Sequence, residues 1–510
     1  LPRRGRDRLV AFAALLPVVV LAACTVGPST RPAVVENDAP APQERPGDDS
    51  EPAPLPEAEP PGPSSVNWTD CAEETREQLG DAARGDLSYE CATVTTTLDA
   101  PGAPGHGLSR TAVLKAGDGP IPLVVVNDVD GEPGSVHAAR LAASMPDEML
   151  ERYSLVGVDR RGTGASDGVR CIPSTDRPGL FDADPSEDIE PPLDAARTAG
   201  QQCAINLDDE QAAFDSWRTT GDLETVREHL GVEHLHALGH GEGSRVLALY
   251  AARYPDKAGR IALDGMPDPS DDRPAALGDV AGGAEATLDA AGEQLGRDLR
   301  GDVTAMAERL DRTPEFTPDG YRMTGPMALR AVLSGLAEPH RWRALADAVG
   351  AARGGDVGGL AAFLQPHLVE DQHAPARIDG TLATRCNDTE ARLPAEQITE
   401  AANQLAQDHP LFGGVVAQEL VWCSPWPTRS DEAGDITSDE TPPMVVVSTA
   451  TDPVTPEQGT VRAAEQMPSA VHVAWQGAGH GALESGCVAE ALSGFYLDGD
   501  VPRDGTLCPA

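Results

Sequence analysis

Two residues near the C-terminus carry the first chemical signal. Asp452 follows the apolar run Met444 to Ser448, within Thr451-Asp452-Pro453-Val454-Thr455-Pro456, and His480 follows the next run, Val471 to Trp475, within Gly477-Ala478-Gly479-His480-Gly481. An acid closing one strand and an imidazole closing the next can orient and charge a general base for nucleophilic catalysis. Singly, an Asp-Pro turn and a loop histidine are common; their order and placement carry the reading. A second group, His234, His236 and His240 with Glu233 and Glu242, offers metal-ligand side chains within a short span. Positions 234 and 236 could share one face of a strand. That strand is central and apolar, however, and His240 lies beyond its far end, so the sequence predicts no metal and no other cofactor.

The elements that must position these residues read as an α/β protein. Short β-branched runs occur at Ala92 to Leu98, Ser109 to Lys115, Pro122 to Asn127, Tyr153 to Asp159, Leu235 to Gly239, Arg260 to Leu263, Met444 to Ser448 and Val471 to Trp475. Several are continuous Val, Leu and Ile, as in strands covered on both faces. From Asp271 to Thr441 helical spacing takes over, as with Leu329, Val332, Leu333 and Leu336, which predicts a helical cap inserted between the sixth and seventh of these runs.

Three further motifs join the Asp452 and His480 turns: Val156-Gly157-Val158-Asp159-Arg160-Arg161-Gly162-Thr163-Gly164, Leu238-Gly239-His240-Gly241-Glu242-Gly243, and Leu263-Asp264-Gly265 with Asp268-Pro269. With them, the chain from Trp68 to Cys508 resembles the secreted tripeptidyl-aminopeptidase-like (TAP-like) α/β-hydrolases, most closely from Met444 to Cys508. The resemblance implies an α/β-hydrolase fold with a mostly parallel central sheet, a capped site and a Ser-Asp-His triad, in an extracellular serine exopeptidase or esterase. Asp452 and His480 match the acid and the base. The family's elbow is G-x-S-x-G, and here the nucleophile position is Gly241, which has no side chain to attack a carbonyl. Losing the nucleophile from such a triad typically costs on the order of 10⁶ in kcat.

The oxyanion loop departs as well. Where the family carries Asn-Pro-Gly-Gly-Pro-Gly-Gly, this chain reads Asn127-Asp128-Val129-Asp130-Gly131-Glu132-Pro133-Gly134-Ser135, with carboxylates where negative charge should be stabilised. Among substitute nucleophiles, Ser244 lies on the following helix, roughly 4.5 Å further along its axis; Ser135 and Thr451 have no motif to support them. The favoured expectation is a catalytically impaired protein that binds or scaffolds. With Gly241 enlarging the cleft floor and Asp128, Asp130, Glu132 and Glu242 lending negative potential, the expected ligand is a peptide N-terminus or small amine. The alternative is an active peptidase or esterase that uses Asp452 and His480 with a non-standard nucleophile.

The domain boundaries expected are 1–24 for a signal peptide, 25–66 for a disordered Pro-rich acidic tether, 67–270 for the first part of the core, 271–441 for the cap and 442–510 for the TAP-like C-terminal part. Basic residues at Arg3, Arg4, Arg6 and Arg8, an apolar run from Leu9 to Ala23, and Leu21-Ala22-Ala23-Cys24 resemble a bacterial lipoprotein signal whose Cys24 is lipidated. That predicts an extracytoplasmic lipoprotein held at the bacterial cell surface. Without Cys24, eight cysteines remain: Cys71, Cys91, Cys171, Cys203, Cys386, Cys423, Cys487 and Cys508. An even set on an exported chain predicts disulfides, with 105 pairings open. Neighbour pairing would close loops of 20, 32, 37 and 21 residues by subtraction. A net charge of −43, from 39 basic and 82 acidic residues, excludes a general nucleic-acid binder.

Overall fold

The computed structural model describes residues 54–99, 107–370, 374–428, 436 and 438–510. The expected signal peptide, Cys24 and the tether up to residue 53 lie outside them. No helix among the described residues is long and apolar enough to cross a membrane.

The eight predicted runs form strands, and four short strands outside those runs complete the set among the described residues. In chain order they are β1 (Thr69–Asp70), β2 (Tyr89–Thr97), β3 (Leu108–Ala116), β4 (Ile121–Val126), β5 (Tyr153–Val158), β6 (Leu235–His240), β7 (Ala258–Asp264), a cap hairpin of β8 (Glu315–Phe316) and β9 (Arg322–Met323), then β10 (Met444–Thr451), β11 (Ala470–Ala478) and β12 (Thr506–Cys508). Ten of them make one sheet in the order β1-β2-β3-β5-β4-β6-β7-β10-β11-β12. The β1/β2, β2/β3 and β3/β5 pairs are antiparallel, and every pair from β5/β4 to β11/β12 is parallel. Every residue of β4, β5 and β7 is buried, which accounts for their mostly apolar sequences. The short edge strands β1 and β12 have too few residues to show a period.

Parallel register brings the loops of interest to one edge. Val126 pairs with Gly239, His240 with Asp264, Asp264 with Val447, and Thr451 with Ala478. Chain leaving these positions carries Asn127, Gly241, Asp452 and His480, so residues more than 350 positions apart in sequence meet above the same strand ends, where open parallel sheets place their sites.

Two expected boundaries change. The cap is not confined to residues 271–441: Val169, Ile172, Leu180, Phe181, Leu193 and Ala196 share one hydrophobic cluster with cap residues from Leu277 to Trp426. The excursion after β5 therefore belongs to the cap layer, because its apolar face finds partners there and not on the sheet. Asp379 joins the two excursions, accepting hydrogen bonds from the Cys171 and Ile172 amides at 2.7 Å and from Arg177 Nε at 2.8 Å. The second change concerns residues 54–66, expected as tether. They lie on the core: Ala58 is buried, its carbonyl accepts from Arg152, and the Gly62 and Ser65 amides donate to the Gly231 and His229 carbonyls. Backbone hydrogen bonding, invisible to composition, supplies that order.

All eight cysteines are paired with their neighbours in sequence: Cys71–Cys91, Cys171–Cys203, Cys386–Cys423 and Cys487–Cys508.

Candidate active site

The site begins at the turn between β6 and the helix Glu242–Arg253. Gly241 has φ 56° and ψ −123°, a conformation that glycine adopts without strain. Its amide donates to the Asp264 carbonyl at 3.0 Å. Close packing holds the turn against β4: a Cβ at Gly243 would stand 2.1 Å from the Val126 carbonyl oxygen. This is a nucleophile elbow in backbone form.

The space above the elbow is filled. A Cβ built on Gly241 would fall 2.1 Å from Oδ1 and 2.4 Å from Oδ2 of Asp128. The Asp128 carboxylate reaches across from the loop after β4 and stands where an elbow side chain would be. Its Oδ1 accepts from the Glu242 amide at 2.6 Å, and its Oδ2 lies 2.8 Å from Nε2 of His480. The amide after the nucleophile and one from this loop are the usual oxyanion donors. Here the loop amide of Val129 donates to Oε2 of Glu242 at 3.3 Å, so both donors are engaged by carboxylates of the chain itself.

His480 and Asp452 meet as predicted. Nδ1 of His480 lies 3.0 and 3.1 Å from the two Asp452 oxygens. Asp452 is fixed by the Val454 and Thr455 amides at 2.7 and 2.8 Å, the Thr455 hydroxyl at 3.0 Å and the Gly481 amide at 3.1 Å. The imidazole is therefore clamped between two carboxylates. Burial works against its charge, but Asp452 and Asp128 outweigh burial and hold His480 well above the ordinary histidine value. Reciprocally, burial works to raise Asp128 and Asp452, and His480 outweighs it, so both lie below the ordinary carboxylate value. The stable form is carboxylate, imidazolium, carboxylate, in which His480 cannot accept a proton.

The other loop carboxylates are also matched by countercharges and do not stand free in the cleft as expected. Asp130 and Glu242 both bind Arg385, at 2.9 and 2.8 Å, from the cap helix Arg377–Asn387. Glu132 binds Arg140 at 3.0 Å and faces His137; burial opposes its ionisation, but these partners lower it to about 2. For Asp130 and Glu242 the countercharge comes from the cap, which the linear sequence cannot place beside the loop; for Glu132 it comes from the helix that directly follows, Gly134–Ser144. Asn127 donates from Nδ2 to the Glu132 carbonyl at 2.9 Å, bracing the loop.

The substitute nucleophiles are elsewhere. Ser244 is fully buried behind the elbow and its hydroxyl has no hydrogen-bond partner among the described residues. The Ser135 amide donates to Asp159, and the Thr451 hydroxyl turns to the Gly477 carbonyl. His236 is a core residue: its Nδ1 accepts from the Arg260 amide, and burial lowers it to about 4.

Two donor sets could in principle surround a cation. Ligand atoms of Asp128, His240 and His480 lie within 4.8 Å of one another, as do those of Asp128, Asp130 and Glu242. In the first, Asp264 holds Nδ1 of His240 at 3.0 Å and a proton joins Asp128 to His480; in the second, the Arg385 guanidinium already supplies the positive charge. His240 lies with its ring centroid 4.2 Å from that of His480, beside the elbow as its position in sequence implies. Its placement at the end of β6, one residue before the elbow, was the usable signal.

Residues 409–508 match the family described as TAP-like protein. Among curated proteins, the chain is 24% identical to the serine protease Hip1 of Mycobacterium tuberculosis, covering 88% of this chain and 92% of that one. It is 25% identical to the tripeptidyl aminopeptidase of Streptomyces coelicolor over 70% of both chains. It is 26% identical to carboxylesterase B of Mycobacterium tuberculosis, covering 87% and 89%. Among solved structures, a thermophilic esterase from Thermogutta terrifontis aligns at 13% identity with a TM-score of 0.36, covering 79% of this chain and 97% of that one. Sheet order, elbow turn and Asp-His pair are those of an α/β-hydrolase fold, and its C-terminal segment, residues 409–508, is TAP-like.

Proposed function

We propose that this chain is an exported, lipid-anchored α/β-hydrolase of the peptidase type that no longer performs serine acyl transfer and acts by binding. One observation carries the reading: the Asp128 carboxylate stands in the nucleophile's space, accepts the hydrogen bond of an oxyanion donor and charges the general base. Each of these features blocks acyl transfer separately. Four disulfides suit an oxidising, extracytoplasmic compartment. Anchoring rests on the Leu21-Ala22-Ala23-Cys24 sequence, and mass spectrometry of the chain expressed in a bacterial host should find a lipid at Cys24.

The test is hydrolysis of p-nitrophenyl acetate and a tripeptidyl p-nitroanilide by the full chain and its His480→Ala variant. The expected result is equal, background rates for both. Turnover that is lost in the variant would overturn the proposal.

A second reading, active hydrolysis with Asp128 as the nucleophile, is favoured by the 2.8 Å approach of its Oδ2 to His480. It requires that turnover exist and vanish in both Asp128→Asn and His480→Ala.

A further inference from the structure

A cavity of about 140 Å³ lies between the core and the cap, with an apolar wall that includes Leu277, Leu333, Ile378 and Trp422. Asp130, Glu242 and Arg385 line it too, and their mutual ion pairs leave none of these three groups free for a ligand. Arg330 is likewise occupied, donating to the Val415 carbonyl at 2.8 Å and to Gln418 at 3.2 Å.

Arg273 differs. It lines the cavity, its side chain keeps 36% of its surface accessible, and its one ionic contact among the described residues is Glu419 at 3.9 Å, beyond hydrogen-bond length. A guanidinium carries five N–H donors in a planar fork matched to a carboxylate. Glu419 is shared among three guanidinium groups: its Oε2 faces Arg273, while its Oε1 faces Arg330 at 3.5 Å and Arg385 at 3.4 Å. Burial pulls Arg273 below the ordinary arginine value, with Glu419 opposing the shift and the nearby Arg385 adding to it. His367 lines the same cavity and is held neutral, lowered to about 4 by burial with Arg377 nearby, so it adds no competing charge.

We infer that the cavity under the cap binds a small carboxylate with an apolar tail, its carboxylate seated on Arg273. The polarity is opposite to the amine-seeking pocket that the acidic loop alone predicts. At roughly 12 Å³ of such volume per water-sized group, the ligand has on the order of ten heavy atoms. The proposal rests on reading the chain as a ligand-binding protein, and hexanoate, which has no bond to hydrolyse, tests it independently of turnover.

The experiment is calorimetric titration of the full chain with hexanoate, hexylamine and 1-hexanol, which share one apolar tail. Hexanoate should bind saturably and at least tenfold more tightly than either of the others. Arg273→Leu should remove that preference while leaving hexanol binding unchanged, and Arg273→Lys should keep an intermediate preference. Hexylamine binding as tightly as hexanoate, no saturable hexanoate binding, or an undiminished preference in a folded Arg273→Leu protein would overturn the inference. Should Arg273→Leu fail to fold, the comparison of the three ligands on the unaltered chain and on Arg273→Lys decides it.

Discussion

At the scale of single residues, Gly241 and Asp128 form one feature. Glycine at the elbow looks like a simple loss, yet a Cβ there would stand 2.1 Å from Asp128 Oδ1 at a φ of 56°. Gly241→Ala should therefore destabilise the fold by roughly 1–3 kcal/mol, measured by chemical denaturation, through strain and overpacking together. The clamp also sets a pH window. His480 has a raised folded value, so its stabilisation is fully present below the unfolded histidine value near 6.5 and is lost as pH rises through the folded one. Asp128 and Asp452 are depressed, so their stabilisation is present above the unfolded value of 3.8 and is lost as pH falls through the folded ones. Removing one carboxylate by Asp128→Asn should lower the His480 value and move the alkaline loss of stability to lower pH. Nitrogen-15 NMR of the His480 ring, followed against pH, checks this directly. The Asp452–His480 pair was legible in the sequence because each residue ends a recognisable strand. Asp128 was legible as a departure, but its destination was not, because nothing in a linear motif shows that a loop carboxylate crosses to the elbow.

At the scale of elements, the cap decides the chemistry of the cleft as much as the sheet does. The strands could be read from their apolar runs, since covering helices force nearly every residue of β4, β5 and β7 to be buried. The cap's extent could not: residues 169–214 look like part of the core by position and join the cap by packing. Nor could the arginines, since Arg385 reaches Asp130 and Glu242 only after two helical excursions have folded over the sheet. The junction between those excursions is Asp379, which is fully buried and bound to Arg177. Asp379→Ala leaves a buried guanidinium short of its partner and should cost about 3 kcal/mol in denaturant unfolding. The Cys386–Cys423 bond ties the helix that carries Arg385 to the helix that carries Glu419. Replacing both cysteines by serine should cost roughly 3 kcal/mol in the loop-entropy account, with a fall in thermal midpoint that reductant no longer enlarges by breaking this bond.

At the scale of the whole molecule, a net charge of −43 coexists with a site whose carboxylates are individually paired. The excess is a surface property, so screening should raise the thermal midpoint as salt increases from about 0.01 M to 0.15 M, where the Debye length shortens from about 30 to 8 Å. A composition-based tether extending to residue 66 overshot for the same reason that the negative pocket did: composition does not report partners, and residues 56–65 find theirs on the core. The molecule joins the backbone frame of an α/β-hydrolase to a reaction space occupied by Asp128. Labelling with a fluorophosphonate probe, read by intact mass, tests that most directly. No adduct is expected on the parent chain or on Gly241→Ser alone, and an adduct is expected at position 241 in the Asp128→Ala/Gly241→Ser double variant that His480→Ala then removes. An adduct on the parent that depends on His480, or a folded double variant that stays unlabelled, would contradict it.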